Sequence, residues 1–76
     1  MRTIEINSEP VELFKILKFE GLTTTGGEAK LLIGDGQVTV NGDTETRRRR
    51  KMMGGDVIGF RGEQFQLRLG TAVKDA

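Results

Sequence analysis

Cysteine, histidine, tryptophan and tyrosine are all missing from this 76-residue chain, and proline occurs once. With no cysteine there is no disulfide to staple the fold, and with no histidine either a zinc site lacks its usual ligands. A chain this short sits near the lower limit for a single self-sufficient core. Packing of Val, Ile, Leu, four Phe and three Met must therefore hold one domain together. Enzymatic function is not expected. Histidine and cysteine are absent, Ser8 is the only serine, and no G-x-S-x-G or paired-carboxylate arrangement stands out. No apolar run approaches the roughly twenty residues that span a bilayer, and the start of the chain does not read as a signal peptide. A cytoplasmic, cofactor-free and metal-free protein is the expectation.

What is present is concentrated. The net charge is only +1, yet five of the twelve Lys and Arg fall together in Arg47-Arg48-Arg49-Arg50-Lys51. The other seven face eleven acidic residues, a balance of −4. A phosphate at contact feels the local density of charge rather than the total, so this run is the chief candidate for function.

Patterning suggests an α+β fold. Thr3-Ile4-Glu5-Ile6 alternates as an edge strand does, with Ile4 and Ile6 inward. A helix is expected from Val11 to Glu20, with Pro10 in its first turn, Ser8 or Glu9 as its cap, and Gly21 as its left-handed stop. Leu13, Phe14, Ile16 and Leu17 mark its core face, and Glu12, Lys15 and Lys18 its wet face. Thr25-Gly26-Gly27-Glu28 reads as a capping box opening a second helix, with Ala29, Leu32 and Ile33 inward and Gly36 as its end. The short connection predicts that the two helices pack as a pair. Val38 and Val40 alternate inward in a strand, Asn41-Gly42 is a strong hairpin signal, and Asp43 to Thr46 can return as its partner. Gly54-Gly55-Asp56 turns the chain into a strand from Val57 to Phe60. Gly62-Glu63 turns it again into the alternating Phe65–Leu69. Thr71 to Ala76 has little to bury and is expected to fray as a tail after a single domain over residues 1–70.

The order helix pair, then E-A-K-L-L-I-x-x-G-x-V-x-V-N-G, charged loop and G-D-V-I resembles the RNA-binding domain of the S-four type, named after small-subunit ribosomal protein four. The likeness spans Val11 to Phe60. It is most specific in Gly36–Gly42 combined with Gly55-Asp56-Val57-Ile58, and it is nearest to small stand-alone bacterial proteins of this type. The resemblance implies a two-helix αL motif packed on a small, mostly antiparallel sheet of about four to five short strands. It also implies structured RNA, ribosomal or transfer RNA, as partner, with Thr25, Lys30, Asn41 and the Arg47–Lys51 loop facing it. The family's pattern places a basic residue just after the helix cap. Gly26 stands there in this chain, which shifts the electrostatic load toward the arginine loop.

Each candidate has a plainer reading. Basic runs alone are non-specific signals, and Asp43 or Glu45 can tie down one or two of the arginines. Arginine nonetheless pairs bidentately with phosphate at a low dehydration cost. Gly26 and Gly27 open a helix whose free N–H groups favour anions, or else they form a connector that needs positive φ. Lys30 extends the basic surface or is simply solvated. Asn41 is chiefly a turn residue. The phenylalanines are spaced as core and not interleaved with the cations, so no stacking platform for single-stranded bases is visible. The favoured expectation is a monomer that recognises RNA through its backbone. The alternative is an adaptor that docks its basic loop on an acidic protein partner.

Overall fold

The structure is a computed structural model that describes residues 1–70; the expected tail, Thr71 to Ala76, lies outside the described residues. The chain runs β1 (Arg2–Ile6), β2 (Val11–Glu12), α1 (Leu13–Phe19), α2 (Gly26–Gly34), β3 (Val38–Val40), β4 (Asp43–Thr44), β5 (Lys51–Met52), β6 (Val57–Phe60) and β7 (Glu63–Leu69). Five of the strands form one sheet in the order β1-β7-β6-β3-β4, and β2 pairs with β5 as a separate two-stranded ribbon. This is the expected α+β architecture of a helix pair with a mostly antiparallel sheet. Its one parallel pairing joins β1 to β7, in register Arg2↔Phe65 through Ile6↔Leu69. A parallel neighbour demands a long crossover. Here both helices and all the other strands lie within it.

Alternation along the strands decides which side chains meet. Ile4, Ile6, Val38, Val40, Ile58, Phe65 and Leu67 are buried from the sheet, and Leu13, Ile16, Leu17, Ala29 and Ile33 from the helices, in a single cluster that also holds Met52. The hairpin at Asn41-Gly42 forms as read, with φ of +53° and +89°, the doubly left-handed geometry of a type I′ turn. A second turn of the same kind joins β6 to β7. It is centred on Arg61 (φ +52°) and Gly62, one residue earlier than the expected Gly62-Glu63.

The start of the first helix departs from expectation. Neither Ser8 nor Glu9 caps it, and Val11 is not helical: α1 begins at Leu13, after Glu12, whose side chain makes no capping bond. The backbone N–H groups of Leu13 and Phe14 instead donate to the carbonyls of Arg50 (2.9 Å) and Arg48 (3.1 Å). The first turn of a helix always has N–H groups in search of acceptors. In this fold the arginine loop supplies them, and pairing of Val11 with Met52 and Glu12 with Lys51 holds the loop in place. Gly21, at φ +73°, does end the helix region as read. Phe19 is the exception among the phenylalanines: it is 70% exposed, whereas Phe14, Phe60 and Phe65 are buried. Among the described residues no helix is long and apolar enough to cross a membrane.

The second helix keeps half of the expected capping box. The Thr25 hydroxyl accepts from the Glu28 N–H at 3.0 Å. The Glu28 carboxylate reaches one residue further back, accepting from the Thr24 N–H (2.7 Å) and the Thr24 hydroxyl (2.9 Å). Those bonds, the backbone one foremost, hold its pKa below the usual carboxylate value.

Candidate nucleic-acid interface

The five consecutive cations do not act as one unit. Glu45, buried just ahead of the run, divides them. Its carboxylate accepts from Arg47 Nε (2.9 Å), Arg47 Nη2 (3.0 Å), the Arg47 N–H (2.9 Å) and Arg50 Nη1 (2.8 Å). Hydrogen bonds from the Arg47 side chain outweigh the cost of burial, and with Arg50 they bring the Glu45 pKa down to about 2. Arg47 is stabilised as a cation in return. Arg50 is drawn in far enough that its Nε is buried without a hydrogen-bond partner. Because burying an unpaired cation is costly, the whole run is expected outside the interior. Arg50 is the correction, made tolerable because its Nη1 reaches a buried carboxylate. Of the two acids flagged as tethers, Glu45 takes the role, and Asp43 makes no ion pair among the described residues.

Arg48 and Arg49 point elsewhere. Arg48 Nε donates to the Lys30 carbonyl on α2 at 3.1 Å. Its guanidinium lies over Gly34, where an added Cβ would come within 2.5 Å of Nη2. A cation near the last turn of a helix complements the helix dipole. Arg49 sits with its Cζ 5.2 Å from the Phe14 ring centroid, and Lys30 places its Nζ 4.5 Å from the same centroid. The two charges are thus at most about 10 Å apart, roughly one Debye length at 0.1 M salt, so an anion beside either is attracted by both. Phe14 was read from the sequence only as core. Its ring is also the mount that joins α1, α2 and the loop, a role that helical spacing cannot reveal because Lys30 and Arg49 are distant in the chain.

Lys51 is exposed on β5, and no acidic side chain among the described residues pairs with it. Glu12 is an acid on this surface, paired with both Lys15 and Arg49. Partial burial favours its neutral form, but hydrogen bonds and charge from Lys15, and then Arg49, more than offset this and lower its pKa. Both ion pairs are long, at 3.4 Å.

The start of α2 adjoins the same ring. Gly26 and Gly27 are its first helical residues, and no intrahelical carbonyl can reach their N–H groups. Neither has a positive φ, so the connector reading falls. A Cβ on Gly26 would meet the Phe14 ring at an ordinary 3.6 Å, and steric crowding does not require glycine there. Asn41 stands apart in character. Its Nδ2 donates to Asp56 Oδ1 (3.1 Å) and its Oδ1 accepts from the Val57 N–H (2.9 Å), so both ends of its amide are spent inside the fold. Asp56 in turn accepts from the Met53 N–H at 2.9 Å. The paired motifs Asn41-Gly42 and Gly55-Asp56-Val57 are one hydrogen-bonded knot.

The arrangement can attract and orient anions; among the described residues no group of three His, Cys, Asp or Glu is placed to hold a metal ion. Comparison with known proteins agrees with the fold. Residues 4–68 match the S4 domain family. The chain is 41% identical over 68 residues to YbcJ of Escherichia coli K12, covering 88% of this chain and 97% of that protein, whose name offers RNA binding as a candidate activity. It is 36% identical over 59 residues to RlbA of Bacillus subtilis 168, named as a probable ribosome maturation protein, covering 78% of this chain and 83% of the relative. The solution structure of E. coli YbcJ, described as revealing an αL motif involved in RNA binding, superposes with a TM-score of 0.68 at 40% identity, covering 90% of this chain and 87% of that one. These relatives are named for RNA or the ribosome and not as enzymes. The family match over most of the chain, the shared fold and the identity to whole relatives agree: this chain belongs to the S4 domain family.

Proposed function

We propose that this protein is a non-catalytic, monomeric and cytoplasmic RNA-binding module that recognises structured RNA, of the ribosomal or transfer RNA class, through the phosphate backbone. The observation that carries the reading is the attachment of Lys30 and Arg49 to one aromatic ring, with Arg48 hooked to the Lys30 carbonyl. Three cations from two distant segments are thereby held on one surface before any ligand arrives. Preorganised charge binds more tightly than free charge because less ordering is required on association. Lys51 and the open N–H groups at Gly26 and Gly27, behind the Thr25 cap, extend the surface. The names of YbcJ and RlbA support RNA and the ribosome as the setting. Arg47 and Arg50 enter the reading as organisers of the loop, sharing the one negative charge of Glu45, and Asn41 as part of its scaffold.

Fluorescence anisotropy with a labelled RNA hairpin across a salt series is the test. Contacts by Lys30, Arg48, Arg49 and Lys51 give a slope of log K against log salt of about −3 to −4 on the duplex scale. A Lys30→Ala/Arg49→Ala variant should lose about 10-fold or more in affinity at low salt and flatten the slope by roughly two. Unchanged affinity and slope in that variant would refute the proposal. So would equal competition by duplex DNA. Acidic proteins captured after nuclease treatment, with no RNA recovered, would point to an adaptor instead.

A further inference from the structure

Resting on that reading, we infer that the exposed ring of Phe19 and the cleft beside it hold an unpaired nucleotide adjoining the RNA helix that the arginine surface grips. The juxtaposition is specific. Phe19 ends α1 and is 70% exposed, while every other phenylalanine is buried. It borders an open cleft of about 480 Å³ whose walls include Asn7, Ser8, Lys15, Phe19 and Lys51 together with one acid, Glu12, which is ion-paired to Lys15. That volume is within the range of small-ligand sites.

The lining matches the parts of a nucleotide. The ring offers a face for a base, and stacking on it is tolerant of sequence because every base has a π-face. Asn7 and Ser8, both exposed in the turn after β1, offer donors and acceptors for base edges. Lys15 lies one helical turn before Phe19 on the same side of α1, with its Nζ paired to Glu12, and Lys51 lines the same cleft from β5, so two lysines supply positive charge for phosphates. Lys18 adds a third, with its Nζ 5.8 Å from the ring centroid. A protein ligand would have to cover this cationic rim; a nucleotide is complementary to it.

Continuity with the arginine surface sets where the nucleotide lies along the RNA. Glu12 bridges the two, its Oε1 3.4 Å from both Lys15 Nζ and Arg49 Nη1. Glu12 also faces Lys51 across the β2–β5 ribbon. One strand can therefore pass from Arg49 to Lys15 over a single carboxylate whose charge those two cations already share. An RNA end or bulge beside a duplex has the shape required, and a perfect duplex has no base free to stack.

The test compares two RNA hairpins with the same stem, one blunt and one carrying a two-nucleotide single-stranded overhang with 2-aminopurine at its first position. The protein should bind the overhang hairpin roughly 5- to 100-fold more tightly, the range of base–aromatic stacking, and quench the 2-aminopurine. Phe19→Ala and Phe19→Leu should abolish both the preference and the quenching while leaving blunt-hairpin affinity within twofold, and Phe19→Tyr should restore both. An exposed side chain makes these variants safe for folding, which circular dichroism checks. Equal binding of the two hairpins by the unaltered protein overturns this inference and leaves the arginine surface standing. A preference that survives Phe19→Ala overturns it as well. Failure to bind either hairpin removes the proposed function and this inference with it.

Discussion

Arg47 and Arg50 differ from Arg48 and Arg49 in nothing but position, yet the fold uses the two pairs in opposite ways. The first pair turns onto Glu45, Arg50 retaining only 28% side-chain exposure while Arg47 clasps the same carboxylate from the surface, still 72% exposed. The second pair turns onto α1 and α2, to a ring and a helix carbonyl, with positive charge facing out. A run of identical residues divides because the backbone between them is already committed: Arg48 and Arg50 carbonyls cap α1, and the Arg50 N–H donates to the Arg47 carbonyl at 3.3 Å. Charge in such a loop cannot be counted as uniformly available. Half of it maintains the loop's shape so that the other half can face a ligand.

The sharpest way to break this division is to remove its buried anion. Glu45→Gln keeps the size of the side chain but leaves Arg50 partly buried without a counter-charge, and should cost on the order of 2–3 kcal/mol in urea unfolding. Its effect on RNA affinity should come through loss of loop order, as a shift of the binding midpoint to higher protein concentration. Acid reaches the same interaction by titration. The Glu45 pKa is depressed to about 2 from an ordinary 4.5, so its contribution is complete above the unfolded value and is lost as pH falls from near 5 through 2. After allowance for solvent around Arg47 the amplitude is about 2 kcal/mol. Denaturant unfolding at pH 6 and pH 3 should show that loss, and the Glu45→Gln variant should lack most of it.

A smaller effect tests the outward pair. Phe14→Leu keeps an apolar side chain under the helix pair but removes the ring that mounts Lys30 and Arg49. Cation–π contacts at exposed sites contribute about 0.5–1 kcal/mol each, and if about half of the roughly 1–2 kcal/mol total carries through to binding, affinity for a blunt RNA hairpin should fall about 2- to 5-fold with the salt slope retained. The mildest probe is Gly34→Ala, which sets a methyl where the Arg48 guanidinium rests. Alanine favours the helix by about 1 kcal/mol over glycine, offsetting the lost contact, so stability should stay within about 0.5 kcal/mol. Arg48 would be displaced, and a two- to threefold drop in hairpin affinity would show in the same anisotropy assay. A drop as large as that from Lys30→Ala/Arg49→Ala would place more of the binding on Arg48 than the division suggests.

Much of the architecture was legible because local rules and tertiary demands agree. Val38 and Val40 alternate, Asn41-Gly42 has one economical conformation, and Thr25 caps the helix that its spacing announces. The beginning of α1 was not legible. Pro10 with Ser8 and Glu9 is an acceptable local start, and nothing nearby reveals that acceptors arrive from Arg48 and Arg50 instead. The same limit hid the interface. The run of cations is plain in one dimension, but Glu45's two partners, the Phe14 mount and the exposure of Phe19 depend on contacts between segments far apart in the chain. Phe19 follows Lys18 at the end of an apolar face. Its spacing is that of core, and only the geometry of the helix end turns it out to solvent.

The parallel pairing of the first strand with the last has a consequence for how the molecule comes into being. Glu5 and Arg68, partners in that register and joined by an ion pair, are 63 residues apart. Closing a loop of that length costs roughly 4 kcal/mol of chain entropy before any contact repays it. During synthesis β1 is made first and its partner last, so the edge of the sheet waits, unpaired, through the emergence of both helices and the arginine loop. The helix pair and the β3–β4 hairpin are local enough to assemble in that interval.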